Sequence, residues 1–406
     1  MREEWQISRL QDLCEQMNGI WKGVKEPFVT AKILRTTNFS KECQLKLDDL
    51  AIIEVEKKKM DARRLRKGDI VVEKSGGGPK QPVGRAILFN IDDTDFSFCN
   101  FTSTLRVKDS TKILPEYLHK YLTYLYFSGA TEKYQSNLVG FRNLDFKGYV
   151  SMEIKYPSLE EQQHIVDILD KEFSKIDNLK ANAERSIKES KDFFNSALKK
   201  ELAPKEGWVV KTIAEIADIK GGKRVPKGYK LLTERTAHPY IRVADFDDNG
   251  SINLDDIHFI SEDVYQGIKR YIIESSDVYI SIAGTIGKSG IIPDVLNGAN
   301  LTENACRLIL KKGLYNRFIY YCTINAPFKE QVSRLTMQAA QPKLALTRLA
   351  TIKVAIPPLK EQYRVVSILD RLCDNCQSLQ DNYMKTLTLC DDLKQSLLRK
   401  AFNGEL

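Results

Sequence analysis

Gly284-Thr285-Ile286-Gly287-Lys288-Ser289 is the segment with the most enzyme-like spacing in this sequence. In a phosphate-binding loop, the backbone amides of such a glycine-rich turn and its lysine cradle a nucleotide. Here Ile282 stands where the first glycine belongs, and Gly290-Ile291-Ile292-Pro293 breaks the helix that should follow. The expectation is a glycine turn between strands that lets another backbone come close. Cys373 and Cys376 form a CxxC pair, but a structural zinc site needs a second pair, and this one falls well inside a helical pattern. His119, His164, His238 and His258 have no ligand spacing among themselves, so no metal is expected. Asp145, Glu153 and Lys155 have the residue types of a Mg²⁺-dependent nuclease, a pattern that arises readily by chance in a chain that is 29% charged. Methyl transfer to a base amino group would want an Asn/Asp-Pro-Pro-aromatic tetrapeptide, and Ile356-Pro357-Pro358-Leu359 has neither end of it. The chain is expected to lack catalytic machinery and to hold no cofactor.

Basic and amide side chains in turn-like places offer a different chemistry. They are Arg35, Lys74, Lys80, Arg85, Arg142 and Asn143 in the first half, and Lys223, Arg224, Lys227, Arg242, Lys288, Gln341, Lys343 and Arg348 in the second. Arg and Lys grip phosphate and read guanine, while Asn and Gln read adenine. Any one of them alone is most simply a solvated surface group. Their matched placement in both halves gives the set its weight.

The elements that would position these residues occur twice. Pro157-Ser158-Leu159-Glu160-Glu161-Gln162 through Ile168-Leu169-Asp170 recurs without a gap as Pro357-Pro358-Leu359-Lys360-Glu361-Gln362 through Ile368-Leu369-Asp370, with eight of fourteen positions identical. Weaker matches precede it in the same order: Trp5 with Trp208, Leu34 to Phe39 with Ile241 to Phe246, Asp69 and Gly84 with Asp277 and Gly287, and Asn100-Phe101-Thr102 with Asn300-Leu301-Thr302.

Ser158 followed by Glu161 has the spacing of a capping box, so a helix should start there. Val166, Leu169, Phe173, Ile176, Lys180, Ala183, Ile187, Ser190, Phe194 and Ala197 then alternate steps of three and four, the seam of a coiled coil. Pro204 and Gly207 end a run of about 45 residues, or about 65 Å. The second copy runs from Pro358 to Gly404 with a poorer seam that includes Val366, Leu369, Cys373, Cys376, Gln380, Cys390 and Lys394. Neither helix can bury such a stripe alone, so the two should pair antiparallel. Glu161, Gln162, Val166, Leu169, Phe173, Ile176, Glu361, Gln362, Val366 and Leu369 are the expected pairing and docking residues.

The fold class expected is therefore α+β: two α/β recognition domains, 1–157 and 204–357, separated by the antiparallel helices 158–203 and 358–406, with an internal pseudo-two-fold repeat. Short β-branched runs such as Ile70-Val71-Val72 and Leu308-Ile309-Leu310 predict strands, and Tyr117, Leu118, Tyr121, Leu122 and Leu125 predict a helix over 115–127. In a chain of 406 residues, 62 Lys plus Arg against 54 Asp plus Glu give +8, a lean toward acidic partners. No apolar run approaches the length of a membrane span, no signal core opens the chain, and the eight cysteines are scattered. A cytoplasmic chain without disulfides is expected.

At this point the sequence resembles the DNA specificity subunit of Type I restriction-modification enzymes. The duplicated Leu159, Glu161, Gln162, Ile168, Leu169 and Asp170, together with Trp208 and Gly221-Gly222-Lys223-Arg224-Val225-Pro226, carry the resemblance, which covers essentially the whole length. It implies that each variable region reads one half of a split, asymmetric site on double-stranded DNA. The helices would then set the spacing and dock two modification subunits. S-adenosylmethionine and the adenine methyltransferase site would come with those subunits, and ATP-driven translocation and cleavage with restriction subunits, in a bacterial or archaeal cytoplasm. The first half departs from the pattern at Asn18-Gly19-Ile20-Trp21-Lys22-Gly23. Two other classes stay open on the residues alone: a stand-alone Mg²⁺-dependent nuclease or methyltransferase, and a coiled-coil scaffold without a DNA role.

Overall fold

The computed structural model describes residues 5–78, 81–138, 141–336 and 343–406. The chain divides into two compact units, residues 1–183 with 385–406 and residues 184–384. Each unit holds one globular region and part of both long helices.

In the first unit the strand Gln6–Arg9 pairs antiparallel with Glu153–Tyr156. An antiparallel four-stranded sheet follows in the order Cys14–Asn18, Thr102–Val107, Asp69–Glu73, Ala86–Phe89. Asp69–Glu73 is central and buried at every position, which suits the β-branched Ile70, Val71 and Val72 expected there as a strand. Its start is fixed by Asp69, whose carboxylate accepts from the Arg66 N–H at 2.7 Å and pairs with Arg106 across the sheet at 2.7 Å. A second sheet sets Phe28–Leu34 between Ala51–Glu56, antiparallel, and Phe96–Phe98, parallel. The helix Pro115–Phe127 occupies the span predicted for it and buries Tyr117, Leu118, Tyr121 and Leu122.

The second unit repeats this plan. Val209–Thr212 pairs with Lys353–Ile356. A four-stranded sheet runs Ala217–Gly221, Ala305–Leu310, Val278–Ser281, Ser289–Gly290. Asp277 takes the place of Asp69, accepting from the Glu274 N–H at 3.0 Å and from Arg307 at 2.8 Å. The other sheet again has one parallel step, Pro239–Ile241 beside Ala299–Leu301.

The backbone bonds correct one sequence match. The Ile20 N–H donates to the Phe98 carbonyl as the Lys223 N–H does to Leu301, and Gly19 to Thr102 as Gly222 to Ala305. Phe98 therefore corresponds to Leu301, and Asn100-Phe101-Thr102 to Glu303-Asn304-Ala305, three positions beyond the match expected from Asn300-Leu301-Thr302. Insertions between the two halves shift the register, and a shared Asn-x-Thr is too short to detect it.

The long helices are Leu159–Glu201 and Leu359–Phe402. Within the first unit Lys180 bonds Asp391 at 2.6 Å and Lys394 bonds Asp177 at 2.5 Å. Residue numbers that rise on one helix fall on the other, so the pair is antiparallel there. In the second unit Ser190 Oγ donates to the Cys376 carbonyl at 3.4 Å, while Glu201, later on the first helix, meets Arg364, earlier on the second, at 3.4 Å, so the order is reversed there too. Val166, Leu169, Ile176, Ala183 and Ser190 are buried and Phe173 and Phe194 partly so, as the seam required. Cys376, Cys390 and Lys394 of the poorer seam are buried as well.

The residues that start the two long helices have roles other than seam contacts. The Gln162 amide is fully buried: its Oε1 accepts from the Leu114 N–H at 2.9 Å, and its Nε2 donates to the Lys112 and Pro157 carbonyls. Gln362 repeats all three bonds with Tyr315, Gly313 and Pro357. The capping box expected of Glu161 is reduced to a long bond of 3.5 Å from its N–H to Ser158 Oγ. Glu361 bonds Arg364, which also reaches Glu201 of the other long helix at 3.4 Å. Asp370 receives Arg317 and the Tyr321 hydroxyl, and Asp170 receives Lys120, so the repeated Asp ties each helix to its globular region.

Candidate nucleic-acid interface

Gly19 and Gly222 begin the site in each unit. A Cβ at Gly19 would run into the Cys99 carbonyl and one at Gly222 into the Thr302 carbonyl, so only glycine lets these segments pass. Each glycine thereby joins a long loop, residues 20–27 or 223–238, to a shorter one, residues 99–101 or 302–304. A glycine turn adds a third loop. The Lys74 N–H bonds the Phe101 carbonyl, and the Ile282 N–H the Asn304 carbonyl, just before Gly76 or Gly284, both at positive φ. The fourth piece is the segment entering Leu144 or Leu344, whose N–H groups bond the Lys74 and Ile282 carbonyls. On it Asn143 lies opposite Ser75 and Lys343 opposite Ala283. The same four-loop frame thus forms in both units with different side chains on it.

The second unit's frame is strongly basic. Its long loop carries Lys223, Arg224, Lys227, Lys230 and Arg235, all exposed, against the single acid Glu234. Pro226-Lys227-Gly228-Tyr229 closes a turn with Gly228 at φ 97° and the Tyr229 N–H on the Pro226 carbonyl at 3.2 Å. That turn holds Lys227 and Tyr229 out to solvent, with Tyr229 52% exposed. Lys227 and Lys343 make no ion pair among the described residues, whereas Arg224 pairs with Glu303 and Lys223 lies over the Tyr271 ring. Lys288 reaches Asp248 at 2.8 Å, and Arg348 donates to the Leu335 carbonyl at 2.7 Å.

The first unit's frame is less charged. Lys74 donates to Asn18 Oδ1 at 2.9 Å, lies over the Phe146 ring, and has its pKa lowered by burial. Asn143 Oδ1 accepts from Ser75 Oγ at 2.5 Å, and Arg142 approaches Gln135 at 3.5 Å. Exposed Trp21, Val24 and Phe101 lie on its two loops and were not among the expected residues. Lys80 and Gln341 lie outside the described residues.

Arg85 requires a correction. It corresponds to Lys288, since the Glu73 N–H bonds the Arg85 carbonyl as the Ser281 N–H bonds that of Lys288. Yet Arg85 is buried, bidentate on Glu73 at 2.7 and 2.8 Å, and donates to the Phe39 carbonyl. Burial works against its charge and the Glu73 carboxylate more than offsets this, so its pKa is raised. It supports the frame from within, its guanidinium committed to its own chain. Arg35 and Arg242 likewise grip their own chain. Arg35 bonds Asp49 at 2.8 Å, and Arg242 bonds Asp245 at 2.6 Å and Asp256 at 3.0 Å, fixing the loop that follows each.

The enzyme-like residues are placed differently. Gly284 to Ser289 forms a turn between Val278–Ser281 and Ser289–Gly290, with no helix at its end. Asp145 caps a short helix through the Gly148 N–H at 3.1 Å, while Glu153 and Lys155 point outward from a strand. Cys376 is buried in the helix pair, and all eight cysteines are free. Among the described residues no helix is long and apolar enough to cross a membrane.

Comparison with known proteins adds a family. A family model described as the Type I restriction modification DNA specificity domain matches residues 2–189 and again 205–388. The EcoBI specificity subunit of Escherichia coli is 25% identical over 284 residues, 62% of this chain and 57% of that one. The MjaIX specificity subunit of Methanocaldococcus jannaschii is 23% identical over 438 residues, 100% of this chain and 94% of that one. The chain spans 57% of the length of both the EcoBI and the MjaVIII relatives. Among solved structures, the HsdS subunit from Thermoanaerobacter tengcongensis has a TM-score of 0.55 at 18% identity, covering 100% of this chain and 98% of that one. A chain from work on complex assembly and conformational transition of the type I R-M system has a TM-score of 0.80 at 18% identity, covering 100% and 99%. The two structures share the fold.

Proposed function

We propose, from the premise that this chain belongs to the family of Type I restriction modification DNA specificity domains, that it is the subunit that selects the DNA sequence for such an enzyme. Each globular region reads one half of a bipartite, asymmetric site on double-stranded DNA. The long helices set the gap between the half-sites and dock two modification subunits. S-adenosylmethionine and the methyltransferase site belong to those subunits, and ATP, Mg²⁺ and cleavage to restriction subunits, all in the cytoplasm. The chain itself is not an enzyme.

The observation that carries this reading is the four-loop frame built twice with unlike side chains. Repeated backbone geometry gives two readers the same approach to a duplex, and different residues at equivalent positions, Asn143 against Lys343, give them different preferences. The nuclease alternative loses support because Asp145 serves as a helix cap.

The test exchanges residues 208–356 for the second region of another family member and maps methylated adenines in cells. One half of the target should change and the other persist. A change in both halves, or in neither, would overturn the assignment of one region to one half-site.

A further inference from the structure

The two frames differ in the kind of contact they offer, and the difference centres on Trp21. The shared backbone bonds put Trp21 of the first unit where Arg224 stands in the second, each one residue past the aligned pair Ile20 and Lys223. The partner position changes in step: Arg224 pairs with Glu303, whose equivalent is Asn100. The loops differ in charge as well. Residues 20–27 hold two lysines and one glutamate, against five basic residues and one glutamate in 223–238.

Trp21 is also held in place. Ahead of it the Ile20 N–H bonds the Phe98 carbonyl at 2.9 Å, and behind it the Val24 and Lys25 N–H groups both bond Glu56 Oε1, at 2.6 and 2.8 Å. The Glu56 N–H returns a bond to the Lys22 carbonyl at 3.0 Å. On this tethered backbone the indole is 67% exposed and Val24 88% exposed, while Phe101 on the adjoining loop is 51% exposed. A scattered surface aromatic needs no explanation. An exposed indole on a tethered loop, flanked by Lys22 and Lys25 and replacing a cation on a shared frame, suits an occupant that is flat, apolar and bordered by negative charge. A base face bordered by phosphates is such an occupant.

We propose that the first unit engages duplex DNA through Trp21 as a stacking side chain, while the second relies on the charges of its basic loop. The inference rests on the DNA reading above. In a duplex an aromatic reaches a base face only where a step is opened, so Trp21 acts as a wedge at a base step of the first half-site. Stacking releases no counterions, so this contact should be nearly independent of salt, whereas each phosphate contact of the second loop adds about one unit to the salt slope.

The experiment uses the full chain and a random duplex pool. The duplex that the wild type enriches then serves for titration at several salt concentrations with the wild type, W21A, W21F and K227A. W21A should bind roughly ten-fold or more weakly with an unchanged salt slope, W21F should recover most of the loss, and K227A should lower the slope by about one. Trp5 and Trp208 pack against the cores, so quenching of tryptophan fluorescence by DNA should vanish in W21F. Equal binding by W21A and the wild type, a W21A defect that appears as a lost salt slope, or quenching retained in W21F would overturn the stacking contact alone. A wild type that enriches no duplex would overturn the DNA reading and this inference together.

Discussion

Gln162 Oε1 accepts the Leu114 N–H at 2.9 Å, and its counterpart in the second repeat, Gln362 Oε1, accepts the Tyr315 N–H at 2.8 Å. Both amides are fully buried and both Nε2 atoms donate to two carbonyls. The repeated glutamine is therefore a joint between helix start and globular region. Gln162→Leu would strand the Leu114 N–H and the Lys112 and Pro157 carbonyls, each a buried group left without its bond. Urea denaturation should show a loss of roughly 2–4 kcal/mol, and Gln362→Leu a similar loss. A loss in either variant no larger than that of an ordinary surface substitution, about 0.5 kcal/mol, would mean that the joint is dispensable.

Arg85 and Lys227 were equal candidates by residue type, and the structure separates them. Arg85→Ala would strip Glu73, 1% exposed in the intact protein, of its bidentate partner, which should cost about 3–5 kcal/mol in the same denaturation experiment. Lys227→Ala removes an exposed side chain and should change stability by less than about 0.5 kcal/mol. Matching stability losses in the two variants would contradict this division.

Much of this architecture was legible because it rests on periodicity. The seam from Val166 to Ala197 and the apolar face from Tyr117 to Leu125 recur at helical spacing, and the helices fall within a residue or two of the expected span. The site was legible only in part. Residue type singles out Arg35, Arg85 and Arg242 as readily as Lys227 and Lys343; Asp245, three residues after Arg242, was a local cue, but Arg85 and Arg35 meet acids 12 and 14 residues away that only the fold brings near. For Arg85 that acid is Glu73; for Arg35 it is Asp49. Trp21 and Tyr229 were passed over because a lone exposed aromatic carries no periodic signal. The Pro226-Lys227-Gly228 turn was the one local cue available for Tyr229. Gln162 was recognised as part of a motif, while its role as a joint depends on carbonyls that only the fold brings near.

His119 gives the first unit a pH dependence. Its Nε2 lies 3.2 Å from both the Cys43 and Ala86 carbonyls and so carries the proton in the neutral ring. Burial, helped by nearby Lys120, lowers its pKa from the ordinary 6.5 to about 4. Above pH 6.5 the ring is neutral folded or unfolded. As pH falls from 6.5 toward 4 only the unfolded chain takes up the proton, so stability is lost across that window, on the order of 2 kcal/mol. His119→Gln keeps a donor without titrating, and the difference in stability between variant and wild type should shift in the variant's favour from pH 7 to pH 4.5. A difference that stays constant over that range would show that His119 does not titrate abnormally.

The antiparallel helix pair can be tested by exchanging charges. Lys180, 16% exposed, bonds Asp391 and also lies 3.8 Å from Glu42, with Lys394 on Asp177 one turn away. Lys180→Asp would face Asp391, Asp177 and Glu42 with a fourth carboxylate and should lower stability by roughly 1–2 kcal/mol at low salt. Asp391→Lys alone would set a second cation against Lys180 and cost about as much. Combining the two restores an opposite-charge pair at the same contact, so the double variant should recover about 1 kcal/mol relative to the sum of the single losses. Raising the salt to about 1 M should shrink that coupling, because most of the pair's exposure is at Asp391, whose side chain is 50% exposed. A helix pair running parallel, or antiparallel but offset by a heptad, would not bring residues 180 and 391 together, and the two losses would then simply add.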